Sequence, residues 1–399
     1  MSWDYVTLDK LGSISRGKSK HRPRNDRTLF GGKYPFIQTA DVKAAGLYLN
    51  EYTETYNDKG LAQSKLWPAG TLCITIAANI ADTTILGIDA CFPDSVMGFV
   101  PYEGVSNVKF VKYAFDILQR DCKKISQGTA QDNLSWKRLS TIKFPAPDIE
   151  IQDKIVSILS VYDDLIENNQ KQIKLLEEVA QRLYKEWFVD LHFPGYENVE
   201  IVDGVPEGWT HKRVEEFGEV ITGKTPSTSK TEYYGGQFPF VTIPDMHGNV
   251  FPLVTEKSLT KQGADTQKNK YLPVNSVIVS CIATVGLVNI AIEPCQTNQQ
   301  INSVVLNDDN DLYFFYESMK RIKALLDGVG SNGATMTNVN KTKFSGIEVL
   351  YPTEDLVMKY NEFCKPIFAQ ILAKSKAMLT SKQARDRLLP KLMSREIEV

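Results

Sequence analysis

Two stretches match the phosphate-cradling pattern G-x-x-x-x-G-K-[ST]: Gly12 to Ser19, with Gly17 and Lys18, and Gly218 to Thr225, with Gly223 and Lys224. In a nucleotide-binding loop of this kind the backbone N–H groups hold phosphate and the lysine reaches the outer phosphates. That chemistry needs an apolar strand ending before the first glycine and a helix beginning at the Lys-Ser/Thr pair. Neither context is written here. The segment Tyr5 to Leu11 carries Thr7, Asp9 and Lys10, too polar for a central buried strand, and Pro226 pushes Thr225 away from the helical region. A nucleotide-dependent enzyme stays open as the alternative reading, but the repeated Gly-Lys reads better as a turn that presents small, polar and basic side chains twice.

Other catalytic chemistry is poorly supplied. Six cysteines (73, 91, 122, 281, 295 and 364) include no Cys-x-x-Cys pair, and four histidines (21, 192, 211 and 247) complete no zinc spacing. The expected state is therefore buried free thiols and no metal. Pro93-Asp94 and Asp121-Cys122-Lys123 are too short and degenerate to support a nuclease, and no Ser/His/Asp or Cys/His grouping recurs.

What does look like a site is basic and polar. Arg16, Lys18, Lys20, His21, Arg22, Arg24 and Arg27, with Ser19, crowd one stretch against a single acid, Asp26. Lys and Arg neutralise phosphates and Arg reads guanine edges, so the stretch is an electrostatic footprint for nucleic acid. Its counterpart, Lys224, Thr225, Ser227, Thr228 and Lys230, is far less basic. Further DNA-contact candidates are Gln127, Thr129 and Gln131, the matching Asn332 and Thr335, and the run Asn298, Gln299 and Gln300. Side-chain amides pair bidentately with adenine edges, although exposed turns use the same residues.

These candidates sit on a chain written twice. Trp3, Gly12, Gly17 and Lys18 recur as Trp209, Gly218, Gly223 and Lys224, each shifted by 206. Gly31-Gly32-Lys33-Tyr34-Pro35-Phe36-Ile37 recurs as Gly235-Gly236-Gln237-Phe238-Pro239-Phe240-Val241, and Asp41 recurs as Asp245. A near-constant offset over most of the chain marks a tandem duplication. The 399 residues are 42% hydrophobic and 24% charged, with 46 Lys plus Arg against 48 Asp plus Glu. These values exclude disordered and fibrous classes, and a chain this neutral does not bind polyanions by bulk charge. The start, Met1-Ser2-Trp3-Asp4, lacks a signal-peptide pattern, and Val277 to Ile292 is too short and polar to span a membrane. A soluble cytoplasmic protein is expected.

Each copy opens with about 145 strand-like residues, β-branched runs between Gly, Pro and Asn turn signals, and ends in a long helix. In copy one the helix follows Pro147 and shows two apolar rows stepping by seven. Ile155, Tyr162, Asn169, Leu176 and Leu183 form one row; Leu159, Ile166, Ile173, Ala180 and Trp187 form the other. That is a coiled-coil seam, with Asn169 as a polar register device. In copy two Tyr360, Ile367, Ile371, Met378, Leu388 and Leu392 fit a seam that Lys374, Ser381 and Arg385 interrupt. The expected fold is α+β. Two tandem strand-rich globular domains (1–147 and 209–352) are separated by long helices (148–190 and 353–399), with a linker at 191–208. The helices pair antiparallel as a coiled-coil spacer, with pseudo-two-fold symmetry.

With these residues in order, the chain resembles the DNA-specificity subunit of type I restriction-modification systems. The resemblance rests on the opening Trp3…Gly12…Gly17-Lys18, the Gly-x-x-Pro-Phe-Ile/Val blocks at Gly32 and Gly236, and the stretch ending in Pro before each helix. The junction segments Leu183 to Phe188 and Val205 to Trp209 add to it, and it covers the whole chain. It implies a non-catalytic DNA reader. Each half would be a target recognition domain for one half of a bipartite double-stranded target, and the helices would dock two adenine-N6 methyltransferase subunits. Those partners would bring S-adenosylmethionine, and two added restriction-translocase subunits would bring ATP and magnesium; this chain would hold no cofactor of its own.

Overall fold

The computed structural model describes residues 3–76, 82–125, 139–328 and 338–399. The chain divides into two units: Met1–Glu167 with Leu379–Val399, and Asn168–Met378.

The first unit is built on a five-stranded sheet ordered Gly12–Arg16, Val96–Pro101, Leu72–Thr75, Thr83–Leu86, Tyr48–Leu49, antiparallel except at its last pair. Alternate residues of a strand face opposite sides of a sheet. Here both sides are covered, so the central strands are buried along their whole length. Leu72, Ile74, Ile85, Met97 and Phe99 pack beneath helix α1 (Val108–Ile125) through Phe110, Tyr113 and Ala114. Cys73, Leu86 and Val96 turn the other way, onto Trp67 and Phe92. A second, four-stranded sheet follows the order Glu54–Tyr56, Phe30–Phe36, Ala90–Cys91, Leu66–Trp67.

The second unit repeats the plan. Gly218–Thr222, Ile301–Leu306, Val277–Ser280 and Val288–Ile290 form an antiparallel sheet in the same strand order. Lys257–Leu259, Tyr234–Val241 and Gln296–Thr297 form the smaller sheet, and helix α3 (Leu312–Lys320) covers the larger one. The repeated blocks now have a physical reason. Gly31 and Gly235 both adopt φ +81°, where the ladder slips between Phe30 and Tyr34 and between Tyr234 and Phe238. This is the left-handed bulge residue that glycine fills without strain. Asp41 and Asp245 each accept the backbone N–H three residues earlier, from Gln38 at 2.7 Å and Thr242 at 2.8 Å, and so cap a short helix.

Two 40-residue helices, α2 (Ile149–Phe188) and α4 (Glu354–Met393), occupy identical places in the two copies, 205 residues apart. The outer turns of both enter the first unit, where Ile155, Val156 and Leu159 pack with Leu389, Leu392 and Met393. In the second unit Ile173, Leu176, Ala180, Leu183, Tyr184, Trp187 and Phe188 share a core with Tyr360, Cys364, Ile367, Phe368 and Ile371. There Tyr360 Oη donates to Ala180 O at 3.0 Å and Lys374 donates to Gln172, so later residues of α2 meet earlier residues of α4. Tyr162, Ile166 and Asn169, the remaining seam positions, are half-buried. Helix α4 runs through Pro390 to Met393, and Ser394 N closes its end on Pro390 O at 2.9 Å. The 191–208 stretch is anchored rather than loose. It holds the hairpin Ile201–Val202/Val205–Pro206, and Phe193 is buried with its ring centroid 5.1 Å from that of Trp209.

One buried acid makes the second unit pH-sensitive. Burial pushes the Glu317 carboxyl up to about 7, against the pull of Lys320 3.7 Å away and with the help of Glu177. A folded-state value above the ordinary 4.5 means the fold prefers the protonated acid. The associated stability is complete below 4.5 and is lost as pH rises to about 7. Across that window the unfolding free energy of the second unit should fall by up to about 1.4 kcal/mol per pH unit. Glu317→Gln should flatten this slope in urea titrations at several pH values; equal slopes in both proteins would refute the assignment.

Candidate nucleic-acid interface

The structure rejects the nucleotide-loop alternative. In both copies the residues between the two glycines are the strand itself, Gly12–Arg16 and Gly218–Thr222, rather than a loop after a strand. The backbone donors that would cradle phosphate are taken. Gly17 N donates to Val96 O at 2.8 Å and Lys18 N to Phe92 O at 3.0 Å; Gly223 N donates to Ile301 O at 3.0 Å and Lys224 N to Thr297 O at 2.9 Å. No helix starts at either lysine: the next elements are single 3-10 turns, Arg27–Leu29 and Thr231–Tyr233. The glycines serve close packing. A Cβ on Gly17 would lie 2.3 Å from Pro93 O, and one on Gly223 would lie 2.2 Å from Asn298 O.

That close approach locks each Gly-Lys loop to a second loop, 92–95 in the first unit and 297–300 in the second. A third segment ties down the lysine carbonyl. Ser64 Oγ donates to Lys18 O at 2.7 Å, and Gln267 Nε2 donates to Lys224 O at 2.7 Å. Gln267 is itself fixed by Gln296 Oε1 at 2.8 Å. The equivalent Gln63 accepts the backbone N–H of His21 on its Oε1 at 3.0 Å.

On this frame the first unit displays a basic rim. Arg16, Lys18, Lys20, Arg22, Arg24 and Arg27 are exposed, while Ser19 is buried. Four of them, Arg16, Lys18, Lys20 and Arg27, have neither an ion-pair nor a side-chain hydrogen-bond partner among the described residues. Arg22 is spent on the loop's own carbonyls, donating to Ser19 O at 2.7 Å and His21 O at 2.8 Å. His21 and Asp26 pair at 2.7 Å, and the Thr28 backbone and hydroxyl, followed by His21, hold the Asp26 carboxyl below its usual range. Arg24 pairs with Asp94 across the two loops.

The second unit uses the same frame with different chemistry. Thr225 Oγ1 donates to Gln299 Oε1 at 2.6 Å, and Asn298 Nδ2 donates to Gln300 Oε1 at 3.1 Å. The structure thus brings Lys224 and Thr225 together with Asn298, Gln299 and Gln300 from a segment some seventy residues away. Ser227, Thr228 and Lys230 continue along the exposed loop, where the Tyr233 hydroxyl raises the Lys230 ammonium above its usual value. Gln127, Thr129, Gln131, Asn332 and Thr335 lie outside the described residues. Sequence reasoning missed Asp94 and Gln38, which share the first unit's loop cluster, and Ser64 and Gln267, which hold the lysine carbonyls. Gln267 had a signal, since it stands 204 residues after Gln63.

Among the described residues no His/Cys/Asp/Glu group is placed to hold a metal ion, and no helix is long and apolar enough to cross a membrane. Cys73, Cys91, Cys281, Cys295 and Cys364 are free and buried, and burial pushes their thiols up, to about 11 for Cys281 and about 12 for Cys295 and Cys364. They are packing residues rather than nucleophiles.

Two like modules that hold differing basic and amide side chains on one rigid loop frame define a class: a modular DNA reader. The chain matches the model of the Type I restriction modification DNA specificity domain twice, over residues 2–178 and 206–355, and belongs to that family. Its role is DNA recognition, not catalysis. It is 34% identical over 327 residues to the HindI specificity subunit of Haemophilus influenzae, an alignment covering 66% of this chain and 71% of the relative. It is 25% identical over 415 residues to the MjaIX specificity subunit of Methanocaldococcus jannaschii, covering 100% and 94%. The crystal structure of a type I S subunit from M. genitalium superposes with a TM-score of 0.55 at 16% identity, covering 98% of this chain and 96% of that one, and shares the fold.

Proposed function

We propose that the chain reads a bipartite double-stranded target, with residues 1–147 and 209–352 as recognition domains for one half-site each. The observation that carries this reading is the matched pair of loop frames with divergent side chains. A basic loop after Gly17-Lys18 and a neutral, hydroxyl-rich loop after Gly223-Lys224 rest on equivalent backbone contacts, which is what two readers of different sequences require. Residues 148–190 and 353–399 serve as an antiparallel coiled-coil spacer, joined to the second domain through the linker 191–208. Forty helical residues extend about 60 Å, more than the ~34–36 Å between sites one DNA turn apart.

The spacer is also the docking surface for two methyltransferase subunits and, where the system has them, two restriction subunits. Ile158, Val161 and Leu165 in the first unit and Leu175 and Val179 in the second are exposed apolar side chains of α2. Spaced at three, four or seven residues within each unit, they suit a partner helix. S-adenosylmethionine, ATP and magnesium belong to those partners, to which a chain of formal charge −2 leaves part of the phosphate contact. The assembly works in the cytoplasm.

Exchanging residues 1–147 for those of another family member, then mapping N6-methyladenine across the host genome, tests the reading. One half of the methylated motif should change and the other should persist. A change in both halves would refute independent reading.

A further inference from the structure

An open cavity of about 500 Å³ in the first unit lies beside the basic loop, lined by Ser19, Arg24, Arg27, Phe30, Gln38 and Glu54 among others. At its edge Arg24 Nη2 donates to both carboxylate oxygens of Asp94, at 2.7 and 2.9 Å. One amino group therefore carries the whole ion pair. Nε and Nη1 have no partner among the described residues, and the guanidinium is half exposed. Resting on the reading of this loop as a DNA contact, we propose that Arg24 is a base-reading residue of the first recognition domain. It takes the N7 and O6 edge of a guanine in the major groove, and Asp94 acts as its positioning residue.

Three observations separate Arg24 from its basic neighbours. First, charge: the Asp94 carboxylate cancels most of the attraction that Arg24 would offer a phosphate, and itself repels one. Arg16, Lys18, Lys20 and Arg27 carry no such counter-charge among the described residues and suit the sequence-independent phosphate contacts. Second, order: the ion pair immobilises a long side chain before DNA arrives, so the planar Nη1–Nη2 end of the guanidinium, with Nη1 unpartnered among the described residues and a further N–H on Nη2, is held without the rotamer cost that a free arginine meets on binding.

Third, the second unit also joins its Gly-Lys loop to the matching loop through a side chain. The bonds from Lys18 N to Phe92 O and from Lys224 N to Thr297 O bring the loops into correspondence, and Asp94 and Gln299 each stand two residues further on. Each holds a side chain from the loop after Gly-Lys: Asp94 holds Arg24, and Gln299 holds Thr225. The same two loops are thus joined in both domains, through a guanidinium held by a carboxylate in one and a hydroxyl held by an amide in the other. The guanidinium and the amide fit guanine and adenine edges respectively.

The test uses the full chain with its methyltransferase subunits in the host, comparing N6-methyladenine maps for wild type, Arg24→Ala, Arg24→Lys and Asp94→Asn. In both Arg24 variants a single G·C position in one half of the motif should become degenerate, its preference falling about tenfold to a hundredfold. Lysine keeps the charge but not the planar pair of donors, so it should not rescue. Asp94→Asn should relax the same position to a smaller degree while leaving the other half intact. An unchanged motif in Arg24→Lys, with Arg24→Ala methylating every site less, would make Arg24 a phosphate contact and overturn the proposal. An unchanged motif in all three variants would overturn it equally. Absence of any bipartite motif in the wild-type map would instead strike at the DNA-reading interpretation beneath it. If Arg24→Ala fails to accumulate, Arg24→Lys and Asp94→Asn decide the matter.

Discussion

Replacing Arg385 with alanine should destabilise the first unit by about 3 kcal/mol, the lower end of the range for breaking a buried ion pair. For a unit of this size that corresponds to a fall of roughly 6–12 °C in Tm. Arg385 Nη1 donates to Asp163 Oδ1 at 2.6 Å, and Tyr113 donates to the other carboxylate oxygen. The Asp163 side chain is 2% exposed and that of Arg385 22%. Without Arg385 the carboxylate stays buried with only a phenol to stabilise it, and its desolvation is left uncompensated.

The second copy shows how the position is filled without charge. Adding 205 to Asp163 gives Phe368, which lies between the rings of Tyr313 and Tyr316 at 4.3 and 5.3 Å, and subtracting 205 from Arg385 gives Ala180. Accordingly Asp163→Leu combined with Arg385→Leu and Tyr113→Phe should recover most of the loss, because all three polar partners leave together. Urea unfolding of the single and triple variants measures this. A triple variant less stable than Arg385→Ala would show that packing, not charge, decides the site.

Arg385 also marks where the sequence was legible and where it was not. The duplication, the strand-rich halves and both long helices follow from patterns visible in the chain: an offset, β-branched runs between turn signals, a period of seven. Lys374, Ser381 and Arg385 read as flaws in the second seam because a heptad pattern registers only the polarity of its own helix. Lys374 donates to Gln172 and Arg385 to Asp163, and both partners belong to the opposing helix. Only with the two helices aligned antiparallel do Lys374 and Arg385 acquire their partners. The candidate site divides similarly. Charge density alone pointed to Arg16 through Arg27, and the turn residues to Asn298–Gln300. That Arg24 is held by Asp94 and Thr225 by Gln299 depends on contacts across 70 and 74 residues, which no spacing rule supplies. The Gly-Lys motif misleads for the same reason. Its glycines are required by a carbonyl from a distant loop, and that requirement produces the same letters as a phosphate loop.

The two long helices can be shortened without disturbing these contacts, and the effect on the proposed target should be large. Removing residues 165–171 from α2 and 375–381 from α4 excises segments that lie between the Asp163–Arg385 contact on one side and the Gln172–Lys374 and Ala180–Tyr360 contacts on the other. Seven residues are almost two full turns and rotate the remaining helix by only about 20°, so each apolar face still meets its partner. Each helix loses about 10 Å of length. If the helices set the separation of the half-sites, the gap in the methylated motif should contract by about three base pairs at ~3.4 Å of rise per pair, with both half-site sequences retained. Deleting either segment alone should abolish methylation, because every contact beyond the deletion then falls out of register. The N6-methyladenine map of the doubly shortened chain gives the result directly. Active methylation with an unaltered gap would sink the ruler interpretation while leaving the reading loops untouched.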